Sequence, residues 1–336
     1  MQKFSQEGGA LQNAPARVFL NTEHLKETLF IINPVSARGA TLTAWDVARP
    51  TIIAAGIIIR ERLTTRAGEA TTLTRDALKK GIERVVAVGG DGTFNEVVNG
   101  CFDERGQTIN PTASIGLLPS GTGADFCKSV GLSGVDDLVR ALTTEQTRRL
   151  DVVRCEFQGL NGSSTARMFI NVSSFGLGGD ASALVNSWRE RIPRWIGGNA
   201  RFAAAAIAAL GRYKNREVTL VVDGNEIKVS SNFIVIANAR FAGGGMMLAP
   251  HAELDDGLMD LILTDGAGRL DIVKELPRIQ RGAHLQNPHV RELRAREVSL
   301  ESDPPMAIDL DGEMVGFTPA VLKIVPAAVR FLAAKL

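Results

Sequence analysis

The 336-residue chain is 45% apolar and 5% aromatic, with a formal net charge of +1. That length suits two domains with sizeable cores, and the charge argues against a nucleic-acid binder that depends on overall basicity. Cys101, Cys127 and Cys155 lack metal spacing and fit a reducing cytosol; His24, His251, His284 and His289 form no metal pattern either.

Residues 1–26 are polar, lack the apolar stretch of a secretory signal, and read as a mobile extension. A short apolar strand over 28–32 precedes a helix over 41–49. A strand over 57–63 and a helix over 68–80 repeat the unit. The β-branched run 85–88 is a buried strand that ends in Gly89-Gly90-Asp91-Gly92. Glycines let the backbone turn sharply and let a ligand approach it closely. Thr93 and Glu96 have capping-box spacing, which predicts a helix start there. Unpaired N–H groups and a positive dipole end then meet at one spot, a ready phosphate site. The arrangement recurs at 114–125, SIGLLPSGTGAD, with a strand, a glycine turn and a helix over 124–130. Two such turns converge at the carboxyl edge of one parallel sheet. A helix near 135–143 closes this half, and the alternation predicts a parallel sheet covered on both faces.

From Asp151 the texture changes. Strands are expected over 152–157, 168–173, 218–222, 227–229, 233–237 and 258–263, with helices near 179–191, 199–211 and 268–280. Asp223-Gly224-Asn225 is a hairpin signal. The fold class is therefore α/β: a doubly wound parallel-sheet nucleotide domain plus a β-rich, antiparallel sandwich-like second domain. The hinge is expected near Leu150, with a cleft between the halves. No Walker phosphate loop is present, and no G-x-G-x-x-G follows a strand. The longest apolar runs, 51–59 and 202–210, are too short to span a bilayer.

GGDGT at 89–93, followed by PSGTGADF at 119–126, resembles the catalytic domain of the diacylglycerol kinase and sphingosine kinase superfamily. The nearer likeness is to its small soluble bacterial lipid kinases. NPVSARG at 33–39, NVSSFGLGGD at 171–180, the GGG-to-DDG stretch at 243–261 and DLDGE at 309–313 fall in the family's order. GGDGT alone also occurs in close variants in NAD kinases; the ordered set is the specific signal. Ala37 and Ala124 depart from the family's usual Gly and Asn. The resemblance implies that residues 318–336 return to the first domain, so that 27–150 with 318–336 form the nucleotide domain and 151–317 the lipid domain.

The resemblance assigns nucleotide contact to Gly90, Asp91, Gly92, Thr93, Asn95 and Glu96, to Thr64, and to Thr122 of the second turn. Asn33 and Ser36 reach phosphate from the first loop, or simply form an Asn-Pro turn. Asp91 and Asp125 are acids beside phosphate turns, which makes Mg2+ their natural partner; Asp125 also suits a plain helix start. Asp309, Asp311 and Glu313 alternate, and on a regular strand they share one face, although a hairpin turn at Asp311-Gly312 is open. By resemblance Glu313 accepts the proton of a lipid hydroxyl, with Asp311 placing metal or base. By resemblance too, Glu253, Asp256 and Leu258 hold a second, structural Mg2+, the Asp through its carboxylate and the flanking residues through backbone carbonyls; a solvated Asp-Asp-Gly turn is the alternative.

Arg189, Arg191, Arg194, Arg201, Arg212, Lys214 and Arg216 interleave with Trp188, Trp195, Phe202 and Tyr213. Such a mixture suits an anionic membrane interface, or a solvated basic face beside a core helix. The expectation is a cytoplasmic, membrane-peripheral, ATP- and Mg2+-dependent lipid kinase with diacylglycerol as default acceptor. Another lipid alcohol, NAD, or a catalytically silent relative are the alternatives, and a homodimer stays open.

Overall fold

The computed structural model describes residues 27–120, 125–188, 204, 208–211 and 214–333. The extension 1–26, the turn 121–124 and most of the basic aromatic segment lie outside the described residues.

The first half alternates strands and helices: β1 Thr28–Ile32, α1 Ala40–Ala54, β2 Ile59–Leu63, α2 Glu69–Lys79, β3 Arg84–Gly89, α3 Asp91–Gly100, β4 Ser114–Pro119, α4 Asp125–Val130 and α5 Val135–Thr144. The strands are parallel in the order β2-β1-β3-β4. Successive residues point to opposite faces, and both faces are buried. Leu29, Ile31, Val85 and Ala87 meet α2, α3 and Phe126 on one side. Phe30, Ile32, Val86 and Val88 meet Trp45 and Ile52 of α1 and Leu138 of α5 on the other. That explains why these strands read as unbroken apolar runs. Helix α1 outlasts its expected end by five residues, because Pro50 is held inside the helix rather than ending it.

The second half contains β5 Thr147–Gly159, β6 Ser164–Phe169, β7 Val172–Gly176, α6 Leu177–Trp188, β8 Arg216–Val222, β9 Asn225–Ser231, β10 Phe233–Ala237 and the two-residue strands β11 Phe241–Ala242 and β12 Met246–Met247. It continues with β13 Met259–Thr264, α7 Arg269–Ile279, β14 Val290–Ala295, β15 Glu297–Asp303, β16 Ala307–Leu310 and β17 Glu313–Leu332. Two antiparallel layers, β14-β13-β10-β7-β16 and β9-β8-β15, share β17. Their inner faces enclose one core that includes Phe175, Leu220, Ile236, Leu261, Leu300 and Leu322.

Three boundaries differ from expectation. The strand expected over 168–173 is two strands, because the backbone breaks at Ile170-Asn171 to present its N–H groups elsewhere. The return to the first domain comes later than residue 318: Ala320, Leu322 and Ile324 face the sandwich core, whereas Val329 and Phe331 pack under the parallel sheet. The junction at Leu150 is no loop. β5 and β17 run through it as paired antiparallel strands, and Arg330 and Phe331 also pair in parallel with Ser114 and Ile115 of β4. Buried Asp151 fastens the crossing, accepting from Ala327 N at 2.7 Å and Gly257 N at 2.7 Å.

Candidate active site

The loops after β1, β3 and β4 emerge side by side at the carboxyl edge of the parallel sheet. The Asn33 amide donates to Thr93 Oγ1 at 2.9 Å, tying the first loop to the GGDGT turn. Ser36 Oγ shares a hydrogen bond with Thr41 Oγ1, which in turn bonds Ser120 Oγ at 2.8 Å. Ala37, Arg38 and Gly39 are all left-handed, which folds the NPVSARG loop back toward α1. Gly89 is needed for packing, since a Cβ there would sit 2.6 Å from Thr93 Oγ1.

Helix α3 starts at Asp91 with Gly90 as its cap residue. The expected capping box is not formed. Both Glu96 carboxylate oxygens instead accept from α2, from Gly68 N at 2.9 Å and Ala70 N at 3.0 Å. Asp91 behaves similarly: its carboxylate accepts from Asp125 N at 2.9 Å and Phe126 N at 3.3 Å, capping α4. Burial pushes the Asp91 carboxyl up to about 6, against the pull of those two N–H groups, with Asp125 and Asp311 adding repulsion. Buried Asp125 accepts from Lys128 Nζ at 3.0 Å and from Gly244 N, beyond β11, at 2.7 Å. It therefore joins the two domains.

The acidic turn completes the site from the other domain. Asp311 (φ 49°) and Gly312 (φ 89°) form a tight two-residue turn between β16 and β17. Asp309, Asp311 and Glu313 accordingly do not share one strand face, because the chain reverses between them. Asp309 lies buried on β16, and its carboxyl is pushed up to about 7, first by burial and then by Asp311 and Glu313. Asp311 Oδ1 accepts from Asn171 N and Val172 N, both at 3.0 Å. Its Oδ2 accepts from Ile170 N at 3.1 Å and the Asn95 amide at 2.7 Å. The break between β6 and β7 supplies those three N–H groups. Burial raises the Asp311 pKa, with the four donors opposing it. Glu313 is half-exposed, and its Oε2 pairs with Arg167 Nη1 at 2.7 Å. Its Oε1 lies 3.9 Å from where a Cβ on Gly92 would stand.

The structure thus gathers Asn33, Ser36, Gly90, Asp91, Gly92, Thr93, Asn95, Asp311 and Glu313 around the start of α3, with Asp125 at the edge. Buried Thr64 follows β2 and donates its N–H to Ile32 O at 2.9 Å, at the carboxyl end of β1. Thr122 lies outside the described residues. Arg167, Thr41, Ser120 and Asp151 were not singled out from the sequence. Arg167 is the one charged residue of β6, and its partners are distant in sequence, so no local pattern marks it.

Glu253, Asp256 and Leu258 lie in the turn before β13, where Asp256 has a guanidinium partner. Asp256 Oδ2 is ion-paired with Arg294, and Asp256 Oδ1 accepts from Leu258 N at 3.0 Å. Neighbouring Asp255 takes Arg148 in two bonds of 2.7 Å. Guanidinium groups supply the positive charge here. Among the described residues no group of three or more His, Cys, Asp or Glu side chains could hold a metal ion.

A small, largely apolar cavity of about 30 Å3 lies under α7 in the second domain, lined by Phe233, Val235, Leu248, Ile262, Ile272 and Ile279.

Residues 27–155 match the family model "Diacylglycerol kinase catalytic domain". Residues 171–333 match "YegS C-terminal NAD kinase beta sandwich-like domain". A protein of Chromohalobacter salexigens described as "Probable lipid kinase YegS-like" is 30% identical over 292 residues, covering 87% of this chain and 88% of its own. The chain belongs to the diacylglycerol kinase and YegS-like lipid kinase family. It is an enzyme that transfers a phosphoryl group to an alcohol. A "Diacylglycerol kinase" of Mycobacterium tuberculosis is 28% identical over 316 residues, covering 93% of this chain and 97% of its own. The crystal structure of a diacylglycerol kinase from Bacillus anthracis str. Sterne has the same fold, with a TM-score of 0.67 at 18% identity, covering 92% and 97% of the two chains. Among the described residues of this kinase, no helix is long and apolar enough to cross a membrane.

Proposed function

We propose that the kinase transfers the γ-phosphate of ATP to a hydroxyl of a membrane lipid, with diacylglycerol as the default acceptor. The observation that carries this is Glu313: a half-exposed carboxylate from the second domain, held beside the glycine turn of the first. Phosphoryl transfer needs positioned phosphates, neutralised charge and a base for the attacking hydroxyl. The open N-terminus of α3 offers N–H groups and a positive dipole end to the nucleotide phosphates. Glu313 Oε1 takes the acceptor proton as the hydroxyl oxygen attacks the γ-phosphorus, and ADP leaves with the electron pair of the broken bond.

A metal held by protein carboxylates alone does not fit, because Asp91, Asp125 and Asp311 are all engaged by donors. A Mg2+ that arrives on the nucleotide needs only one or two such contacts, and it would neutralise charge on the phosphates. Asp91 and Asp125 stand where such contacts fall.

Contact with an anionic membrane surface from the cytoplasmic side completes the proposal, through the basic, Trp-bearing residues 184–216. Each basic residue near such a surface contributes roughly 1 kcal/mol, screened by salt. The deciding experiment offers labelled ATP with vesicle-borne diacylglycerol, a sphingoid base, ceramide, phosphatidylglycerol and NAD. Label in diacylglycerol is expected; label in NAD alone would overturn the lipid assignment. Arg191→Glu with Arg194→Glu should weaken vesicle sedimentation at low salt, and unchanged sedimentation removes this segment as the docking surface.

A further inference from the structure

Arg167 of β6 reaches two groups at once. Nη1 lies 2.7 Å from Glu313 Oε2, and Nη2 donates to Asn95 Oδ1 at 2.8 Å. Asn95 is fully buried in α3 and cannot turn away. Its amide nitrogen donates to Asp311 Oδ2 at 2.7 Å and Met168 O at 3.1 Å, and its oxygen also accepts from Asn99 at 3.1 Å. One end of the guanidinium is therefore fixed on the helix that opens at the glycine turn. The other end holds a side chain that is otherwise 45% exposed.

A free Glu side chain on a surface samples several rotamers. A planar guanidinium presents its N–H groups in a fixed fork, whereas a Lys ammonium is a single point charge on a flexible stem. The fork takes Oε2 and leaves Oε1, the oxygen turned toward Gly92. We propose that Arg167 is the positioning residue of the reaction: it fixes which oxygen of Glu313 meets the acceptor hydroxyl and sets its distance from the start of α3. The inference rests on Glu313 being the base. Asn95 serves as the reference point that makes the aim follow the nucleotide turn, although Arg167 and Glu313 both come from the second domain.

The test compares Arg167→Met, Arg167→Lys, Arg167→Ala, Glu313→Gln and the Arg167→Met/Glu313→Gln double variant of the full chain. Each is measured for kcat and KM on ATP and diacylglycerol vesicles, for equilibrium ATP binding, and for melting temperature. A base displaced by about an ångström costs on the order of 10²-fold in rate. Arg167→Met should therefore lose about that factor in kcat while KM for ATP and ATP binding stay unchanged. Arg167→Lys should recover part of the loss. Methylguanidinium should restore part of the kcat of Arg167→Ala and none in Glu313→Gln. Residues that act as a unit are non-additive, so the double variant should be no slower than Glu313→Gln alone.

Wild-type kcat in Arg167→Met would overturn the positioning role while leaving Glu313 as base. So would multiplicative losses in the double variant, or a loss of ATP binding in Arg167→Met without chemical rescue of Arg167→Ala. Wild-type turnover in Glu313→Gln would instead remove the base assignment itself, a separate result. If Arg167→Met does not fold, Arg167→Lys and the rescue of Arg167→Ala decide the matter.

Discussion

Ala37 stands in the left-handed region, at φ 48° and ψ 31°, where the family usually carries Gly. An L-residue there costs roughly 1–2 kcal/mol. Replacement by Gly removes that strain but loosens the unfolded chain by about 0.4–1 kcal/mol. Ala37→Gly should thus stabilise the protein by about 0.5 kcal/mol or a little more, read as a higher melting temperature; a fall would mean that the loop accommodates Ala without strain. Asp309 carries a second, larger tension. Its carboxyl is buried, and burial lifts its pKa from 3.8 to about 7 against the pull of donors from Ser182 and Gly312. Between those two values the folded state binds a proton that the unfolded state has lost. Stability contributed by this group is therefore present in acid and falls as pH rises through about 7. Asp309→Asn does not titrate, so its melting temperature should exceed that of the wild type above pH 7 and lose this advantage as pH falls toward 4. Thermal melts over that range check it, and a difference independent of pH would exclude charge as the cause.

Among the elements, those with strong local signals match their expected spans. β1 and β10 coincide with their apolar runs, and α2 and α5 fall within a residue or so of theirs. The misses have physical causes. Thr93 and Glu96 have the spacing of a capping box, but a neighbouring helix start offers Glu96 better donors, and sequence spacing cannot see a neighbour. The strand expected over 168–173 breaks because a carboxylate 141 residues away from Ile170 draws three N–H groups out of the ladder. At the Asp-Asp-Gly turn, which by resemblance holds Mg2+, β13–β14 pairing sets Arg294 opposite Asp260, within reach of Asp256. With a guanidinium in that role, Asp256→Ala should lower the melting temperature equally in magnesium and in EDTA. A loss confined to magnesium would assign a metal to this turn, since a native-state ligand stabilises by mass action.

At the scale of the whole molecule, two domains were legible in the change of texture at Asp151, but their junction was not. β5 and β17 cross it as one hydrogen-bonded ribbon, and β17 belongs to both cores. Alternation along a 20-residue strand looks the same in either domain, so the sequence offers no mark at the crossing. Asp125 on Gly244 and Asp311 on Asn95 add polar ties between the halves. Neither half can lose its structure without stripping the other of a strand. Calorimetry should accordingly give a single transition with equal calorimetric and van't Hoff enthalpies; two resolved transitions would show that the ribbon does not couple the domains.

The shared strand also fixes an order of events at the ribosome. Domains generally fold as they emerge, N-terminal first. Here Ser114 and Ile115, at the start of β4, wait for Arg330 and Phe331, made about two hundred residues later. At ordinary synthesis rates that is roughly 10–40 s with an apolar parallel strand exposed along one side. An uncovered edge of that kind is a template for pairing with other chains. Expression should therefore suffer most from changes that slow the arrival of β17.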